Sequence, residues 1–240
     1  MNTKWKTSTV TGLAMVSAIA YVVMLAGFRF MASAPFLKYE AKDVILTIGG
    51  FIYGPIGAMA ASFVVAFVEM VTISESGPIG FLMNFLAASS YACIASLIYH
   101  KKRTPLGAVL GLAVGSLTLT AVMLLWNYII TPIYTGWSRE SVAALLVPVF
   151  LPFNLIKGGL NTAFVLLIYK PLMTALRAAR LLPHRSAPAA APAASSAAAA
   201  TSAQAETESP AKKFKVDYRL LVFAGGLLII CATAIFYNMK

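Results

Sequence analysis

The sequence predicts an all-α integral membrane protein: a six-helix bundle with a short second helix, joined by a tether to a seventh transmembrane helix. Three observations predict it. The 240-residue chain is 60% hydrophobic and 11% charged, whereas soluble domains hold roughly 25% charged and 45–50% apolar residues. The apolar residues fall in long runs bounded by charge, the pattern of helices whose solvent is lipid. Residues 186–211 are almost entirely Ala, Pro, Ser and Thr, which leaves no large side chains to bury.

The first run, Thr9–Phe28, follows Lys4 and Lys6. It is longer than the core of about 7–15 residues found in a signal peptide, so it reads as the first span and not as a cleaved leader. A loop with Arg29, Lys38, Glu40, Lys42 and Asp43 follows. The next apolar stretch is interrupted by Gly54-Pro55. Proline removes a backbone donor and disfavours helix in the residue before it. The stretch therefore divides into a short second span, Val44–Tyr53, and a third, Ile56–Ile73. A helix of that second length rises only about 15 Å against a hydrocarbon core of about 30 Å, so its neighbours must shelter it.

The fourth span is Ile79–Tyr99, closed by His100-Lys101-Lys102-Arg103. The fifth is Leu106–Ile130, followed by a loop over Thr131–Glu140. The sixth is Val142–Tyr169, with Lys170, Arg177, Arg180 and Arg185 after it, and the last is Leu220–Tyr237. This divides the chain into a six-span domain (1–180), a flexible cytoplasmic linker (181–218) and an additional transmembrane helix (219–240).

The net charge is +11. The basic residues sit at the ends of apolar runs, with no basic stripe interleaved with aromatics, which points to membrane and away from nucleic acid. The positive-inside rule places Lys4, Lys6, Lys101–Arg103, Lys170–Arg185 and Lys212–Arg219 in the cytoplasm, with the N-terminus inside and Lys240 outside. The outer loop 29–43 holds three basic and two acidic residues, a mild exception, and loops near binding sites often break statistical rules. Cys93 and Cys231 are far apart within apolar runs. They read as small buried residues and not as a disulfide or metal site.

Polar groups at lipid depth are costly, so each asks for a partner or a role. In the sixth span, Asn154 and Asn161 are seven residues apart and return to nearly one helix face, with Lys157 between them. Two amides and an ammonium suit a ring edge carrying carbonyls and nitrogens. Gly158 and Gly159 permit close approach of a helix or a flat ligand. The competing reading is that Lys157 snorkels and the asparagines join helices; its place deep within the run favours a ligand.

Asn127 lies between Trp126 and Tyr128, either in an interfacial belt or reading a ligand's polar edge. Glu69 lies in the third span and Asn84 in the fourth. Three readings of Glu69 stay open: pairing with Lys157, holding a ligand hydroxyl, or reaching outer water. Ser89 and Ser90 are expected to bond carbonyls of their own helix. Ala14 and Ala18 form a small-residue strip where another helix can lie close, within this chain or in a partner.

No phosphate-binding loop is present, so the chain does not power transport with ATP by itself. No His-Glu-x-x-His or Gly-x-Ser-x-Gly signature occurs either, and His100 and His184 lack nearby acid pairs. Catalytic residues, metal ligands and a catalytic cofactor are therefore not expected, and neither is an enzyme.

Two strings carry a resemblance. Phe36-Leu37-Lys38-Tyr39-Glu40-Ala41-Lys42-Asp43-Val44, followed by Gly50-Phe51-Ile52-Tyr53-Gly54-Pro55-Ile56-Gly57-Ala58, resembles the first outer loop and second helix of the S components of energy-coupling factor (ECF) vitamin transporters. Pro152-Phe153-Asn154-Leu155-Ile156-Lys157-Gly158, with Asn127-Tyr128 and then Pro132 and Tyr134, is similar to the riboflavin-binding branch. The resemblance covers roughly residues 8–180. It implies that Asn127, Asn154 and Lys157 hydrogen-bond the isoalloxazine edge; Asn161 is a further binding candidate from its place on the helix face. It implies that Leu37, Lys38 and Tyr39 lie in a covering loop, and that Ala14 and Ala18 dock on a transmembrane coupling subunit that works with two ATPases. The transported ligand would be riboflavin or a related flavin, taken up across a bacterial cell membrane. That branch often carries Gly-Glu before the fourth helix, whereas here Gly80 precedes Phe81; the carboxylate for the ribityl chain is lost or replaced by Glu69. Lys157→Ala or Asn154→Ala is expected to weaken flavin binding with folding largely intact. The rival functions are the same scaffold with another vitamin, a stand-alone secondary transporter using Glu69 and Lys157, and an intramembrane enzyme.

Overall fold

Gly54-Pro55 breaks the second apolar stretch into two helices, α2 (Lys42–Tyr53) and α3 (Pro55–Thr72). Gly54 takes φ 91° at the corner, a backbone conformation open to glycine at little cost, and Pro55 starts α3 where its missing amide is harmless. The structure is a computed structural model and describes residues 6–30, 37–74, 76–178 and 218–239. The remaining helices are α1 (Thr7–Leu25), α4 (Gly77–Lys101), α5 (Pro105–Thr135), α6 (Arg139–Leu145), α7 (Leu151–Ala178) and α8 (Tyr218–Met239). Most of the expected linker, residues 179–217, lies outside the described residues.

The protein is a multi-pass helical membrane protein. α1, α3, α4, α5 and the run Arg139–Tyr169 are each long and apolar enough to cross a membrane. At 12 residues, α2 rises about 18 Å. It packs against α1, α3, α4 and α7, and most of its length is buried, which is the sheltering its shortness demands. Gly50 makes that possible: a Cβ there would strike Ser96 Oγ of α4 and come within 2.9 Å of Ala58 Cβ of α3.

Several boundaries differ from the sequence reading: α1 ends at Leu25, so Phe28 lies outside it, and α7 continues through Pro171 to Ala178. α5 runs through Pro132 to Thr135 and ends at Gly136 in the left-handed region (φ 73°), so the loop expected from Thr131 is helix for its first turn. The sixth span starts three residues early, at Arg139, capped by the Ser138 side chain. It then passes through a π-helical turn at Leu146–Phe150. Pro148 within that turn and Pro152 just after it have no amide hydrogen to donate to the α ladder, and such wider turns accommodate the missing bonds.

Candidate functional site

The segment between α1 and α2 folds inward. Phe28 and Tyr39 form an isolated antiparallel bridge, with Tyr39 N donating to Phe28 O at 2.8 Å and Phe28 N to Tyr39 O at 3.0 Å. Extended backbone alternates its side chains. Leu37 and Tyr39 are accordingly buried, while Lys38 is partly exposed. Phe30 stacks on Phe153 of α7 at 5.3 Å. Together with Leu37, Tyr39, Phe150 and Ile156 it closes an apolar layer over α7.

Beneath this layer lies a polar centre. Asp43, in the first turn of α2, is fully buried. Its Oδ2 receives Lys157 Nζ at 3.2 Å and Asn161 Nδ2 at 3.3 Å, both from α7. The Tyr39 hydroxyl donates to Asn161 Oδ1 at 3.0 Å. Among the described residues, Asp43 Oδ1 has no hydrogen-bond partner. Burial, reinforced by Asp43 and then by Cys231, holds the Tyr39 phenol well above its ordinary pKa, so it stays a donor.

A second ionic group adjoins the first through the chain itself. Lys42 Nζ lies 2.6 Å from Glu40 Oε2 and also pairs with Glu69 of α3. Glu69 Oε1 accepts from Asn84 Nδ2 of α4 at 2.7 Å. Lys38 reaches Glu40 at 3.5 Å from the more exposed side. Buried ions persist only when paired and hydrogen-bonded, and here each cation meets a carboxylate on another element or at the segment's edge. Burial alone would raise the Glu40 carboxyl; Lys42, with Lys157 and Lys38 behind it, outweighs burial and holds it below the usual range.

Several sequence expectations meet here and others do not. Lys157 and Asn161 converge as the helix spacing suggested, but on Asp43 and not on each other. Glu69 pairs with Lys42 and Asn84, not with Lys157. Asn154 is buried with its Nδ2 on the Phe150 carbonyl at 2.8 Å. Asn127 is buried too; its Nδ2 donates to Met123 O at 2.7 Å and its Oδ1 accepts from Thr131 at 3.0 Å. Phe81 packs edge-on to Phe63 at 5.4 Å within an aromatic group with Phe67 and Phe85, while Glu69 joins Asp43 and Glu40 among the buried carboxylates. Ser89 and Ser90 bond carbonyls of their own helix. Ala14 and Ala18 are exposed on α1. Asp43, Lys42 and Glu40 were not among the sequence candidates. Their signal was the unusual charge density of the outer loop just before an apolar run.

A buried ionic centre held among α2, α3 and α7, closed over by the segment before α2, defines a multi-pass membrane protein with a polar site inside its helical bundle. Residues 8–169 match the family described as ECF transporter, substrate-specific component, and the chain belongs to that family. It is 30% identical over 181 residues to "Riboflavin transporter FmnP" of Bacillus subtilis (strain 168), covering 70% of this chain and 95% of that protein. It is 28% identical over 171 residues to "Riboflavin transporter RibU" of Staphylococcus aureus (strain TCH60), covering 69% and 90%. It also resembles the solved "Structure and mechanism of the S component of a bacterial ECF transporter", with TM-score 0.61, 27% identity, and coverage of 70% of this chain and 97% of that one.

Proposed function

We propose that this protein is the riboflavin-capturing component of an ECF-type uptake transporter in a bacterial cell membrane. The N-terminus would be cytoplasmic, and the segment 37–43 would face the outer side. The relatives named as riboflavin transporters support the ligand, and the polar centre supports binding without bond chemistry. One observation carries the reading: a fully buried carboxylate, Asp43, has one oxygen held by Lys157 and Asn161 and the other unpartnered among the described residues. A buried acceptor left unmet costs about 1–3 kcal/mol, so this oxygen suits a ligand donor such as a ring N–H or a ribityl hydroxyl. Asn127, Asn154, Lys157 and Asn161 supply the further polar contacts in this reading, Leu37, Lys38 and Tyr39 the cover, and Glu69 with Asn84 the ribityl end.

Individual hydrogen bonds net about 0.5–1.5 kcal/mol, while nanomolar binding needs about −12.3 kcal/mol. Burial of the flavin ring against Phe30, Phe153 and their neighbours therefore supplies the larger part. Release to the cytoplasm uses a transmembrane coupling subunit and two ATPases, docked through the exposed Ala14 and Ala18. A secondary transporter relaying ions between Glu69 and Lys157 is disfavoured, because these two groups take separate partners.

The test is direct. Purified protein should carry the visible absorption bands of a flavin, or quench riboflavin fluorescence on titration with a one-to-one endpoint. Protein that is folded, flavin-free and indifferent to added riboflavin sinks the reading.

A further inference from the structure

The family match ends at residue 169, yet α8 does not stand apart from the bundle. It packs along α7, and the contact falls beside Lys157. Two successive glycines make room for two different helices. A Cβ on Gly158 would strike Ser116 Oγ of α5, and a Cβ on Gly159 would come within 2.8 Å of Cys231 Sγ and 3.9 Å of Leu227 Cδ1 of α8. The Cys231 thiol is buried and points at the Ile156 carbonyl, 4.0 Å away. Cys231 belongs to the same apolar cluster as Phe30, Leu37 and Tyr39 of the outer segment, with Leu227, Leu228 and Ile235 packed against it. The opposite face of α8, with Val222, Ile229 and Ile230, is exposed.

From this placement we infer that α8 is a buttress of the ligand site, positioning the turn of α7 that carries Lys157 and the outer segment that closes over it, and thereby slowing ligand release. α7 is clamped between α5 and α8 at the two residues that follow Lys157. Interiors packed this closely transmit a shift of one element to its neighbours. Withdrawal of α8 would leave the Ile156–Leu160 stretch and the outer segment without their apolar backing. Differences of this kind act mainly on dissociation and little on association. The effect on release rests on the riboflavin reading; the effect on the outer segment does not.

The test uses the full chain with Cys93→Ser, leaving Cys231 as its thiol. Adding Gly159→Cys and oxidising with diamide, which takes two electrons from the paired thiols, should join α8 to α7; folded protein that gives no disulfide overturns the placement. Gly159→Phe should expel α8, seen as maleimide labelling of Cys231. Riboflavin dissociation should then quicken by about tenfold or more, and the amides of residues 37–43 should exchange with deuterium faster. Ile230→Ser on the outward face should alter neither. If Gly159→Phe does not fold, Cys231→Trp presses on the same contact from α8 and is read by the same two measurements. Dissociation within about twofold of the parent, with unchanged exchange after α8 is displaced, overturns the proposal. If the parent binds no riboflavin, the ligand reading falls, and deuterium exchange at 37–43 still decides the role of α8.

Discussion

Lys157 Nζ lies 3.2 Å from Asp43 Oδ2, an ion pair that ties α7 to the first turn of α2. Both groups are almost wholly removed from solvent. Truncating one partner of such a pair typically costs about 3–5 kcal/mol, because the other charge stays buried without compensation. The expectation that Lys157→Ala leaves folding largely intact is therefore corrected: with Asp43 buried opposite it, the substitution should lower the unfolding temperature as well as abolish riboflavin binding. Lys157→Met combined with Asp43→Leu should recover most of the stability, since apolar replacement of a whole buried pair is often neutral or better, while binding stays lost. Thermal unfolding in detergent alongside fluorescence titration separates the two effects. A stable, non-binding Lys157→Ala would show that the pair contributes little to the fold.

The cluster around Lys42 makes a graded prediction. Lys42 is buried and touches both Glu40 and Glu69, while the Lys38 side chain is 29% exposed and pairs with Glu40 at 3.5 Å. Lys42→Met should cost about 3–5 kcal/mol, by the same buried-pair argument. Lys38→Met should cost about 0–1 kcal/mol, as exposed pairs do. Equal losses in the two variants would contradict the burial on which this ranking depends.

Glu40 extends the argument to pH. Its folded carboxyl is held below the usual range, with the pull of Lys42 outweighing burial. A depressed pKa means that the unfolded segment binds protons more readily than the folded one. The stabilisation is thus fully present above the ordinary glutamate pKa and is lost as pH falls through the lowered folded value. Protection of the amides of residues 37–43, corrected for the intrinsic pH dependence of exchange, should fall on acidification in the parent, and the fall should be smaller in Glu40→Gln. A parent segment whose protection is flat into the acid range would refute this.

Much of this architecture was written in apolar runs and their punctuation. Gly54-Pro55 gave the α2–α3 corner, and the shortness of α2 demanded the shelter it has. Lys157 and Asn161 were legible because residues four apart on a helix share a face. Asp43 was not, because a charge beside an apolar run looks alike whether it faces water or ends a buried helix; its partners Lys157 and Asn161 lie on α7, more than a hundred residues away in the chain. The partner of Glu69 was equally hidden, since Lys42 lies 27 residues away in the chain and no local spacing joins them. The π turn at Leu146–Phe150 left a trace in Pro148 and Pro152, but prolines mark a disturbed ladder without saying which turn repairs it.

The Tyr39 hydroxyl gives a smaller and cleaner test. It donates to Asn161 Oδ1 at 3.0 Å, and Tyr39→Phe removes that bond with almost no change in volume. A net loss of about 0.5–1.5 kcal/mol is expected, appearing as riboflavin release up to about tenfold faster. The association rate should hold, as association varies less than dissociation among variants of one site. Stopped-flow fluorescence measures both rates, and slower association with unchanged release would assign Tyr39 to entry and not to closure.

Ala14 and Ala18 test the other side of the molecule. Both are exposed on α1, which packs on α2 and α3, while α8 packs on α7. Val22, one turn further, is exposed as well, so small residues there offer a surface on which a partner helix can lie close. Ala14→Trp should leave riboflavin affinity within about twofold, since the contact of α1 with the polar centre, Lys42 Nζ to Met24 Sδ at 3.3 Å, lies nearly three turns from Ala14 and distant sites act independently. The same variant should fail to co-purify with the coupling subunit and ATPases and should lose ATP-driven uptake in vesicles. If the complex assembles and transports normally, the docking surface lies elsewhere. If binding fails together with assembly, α1 shapes the site from outside the contacts described here, and the separation of capture from coupling is wrong.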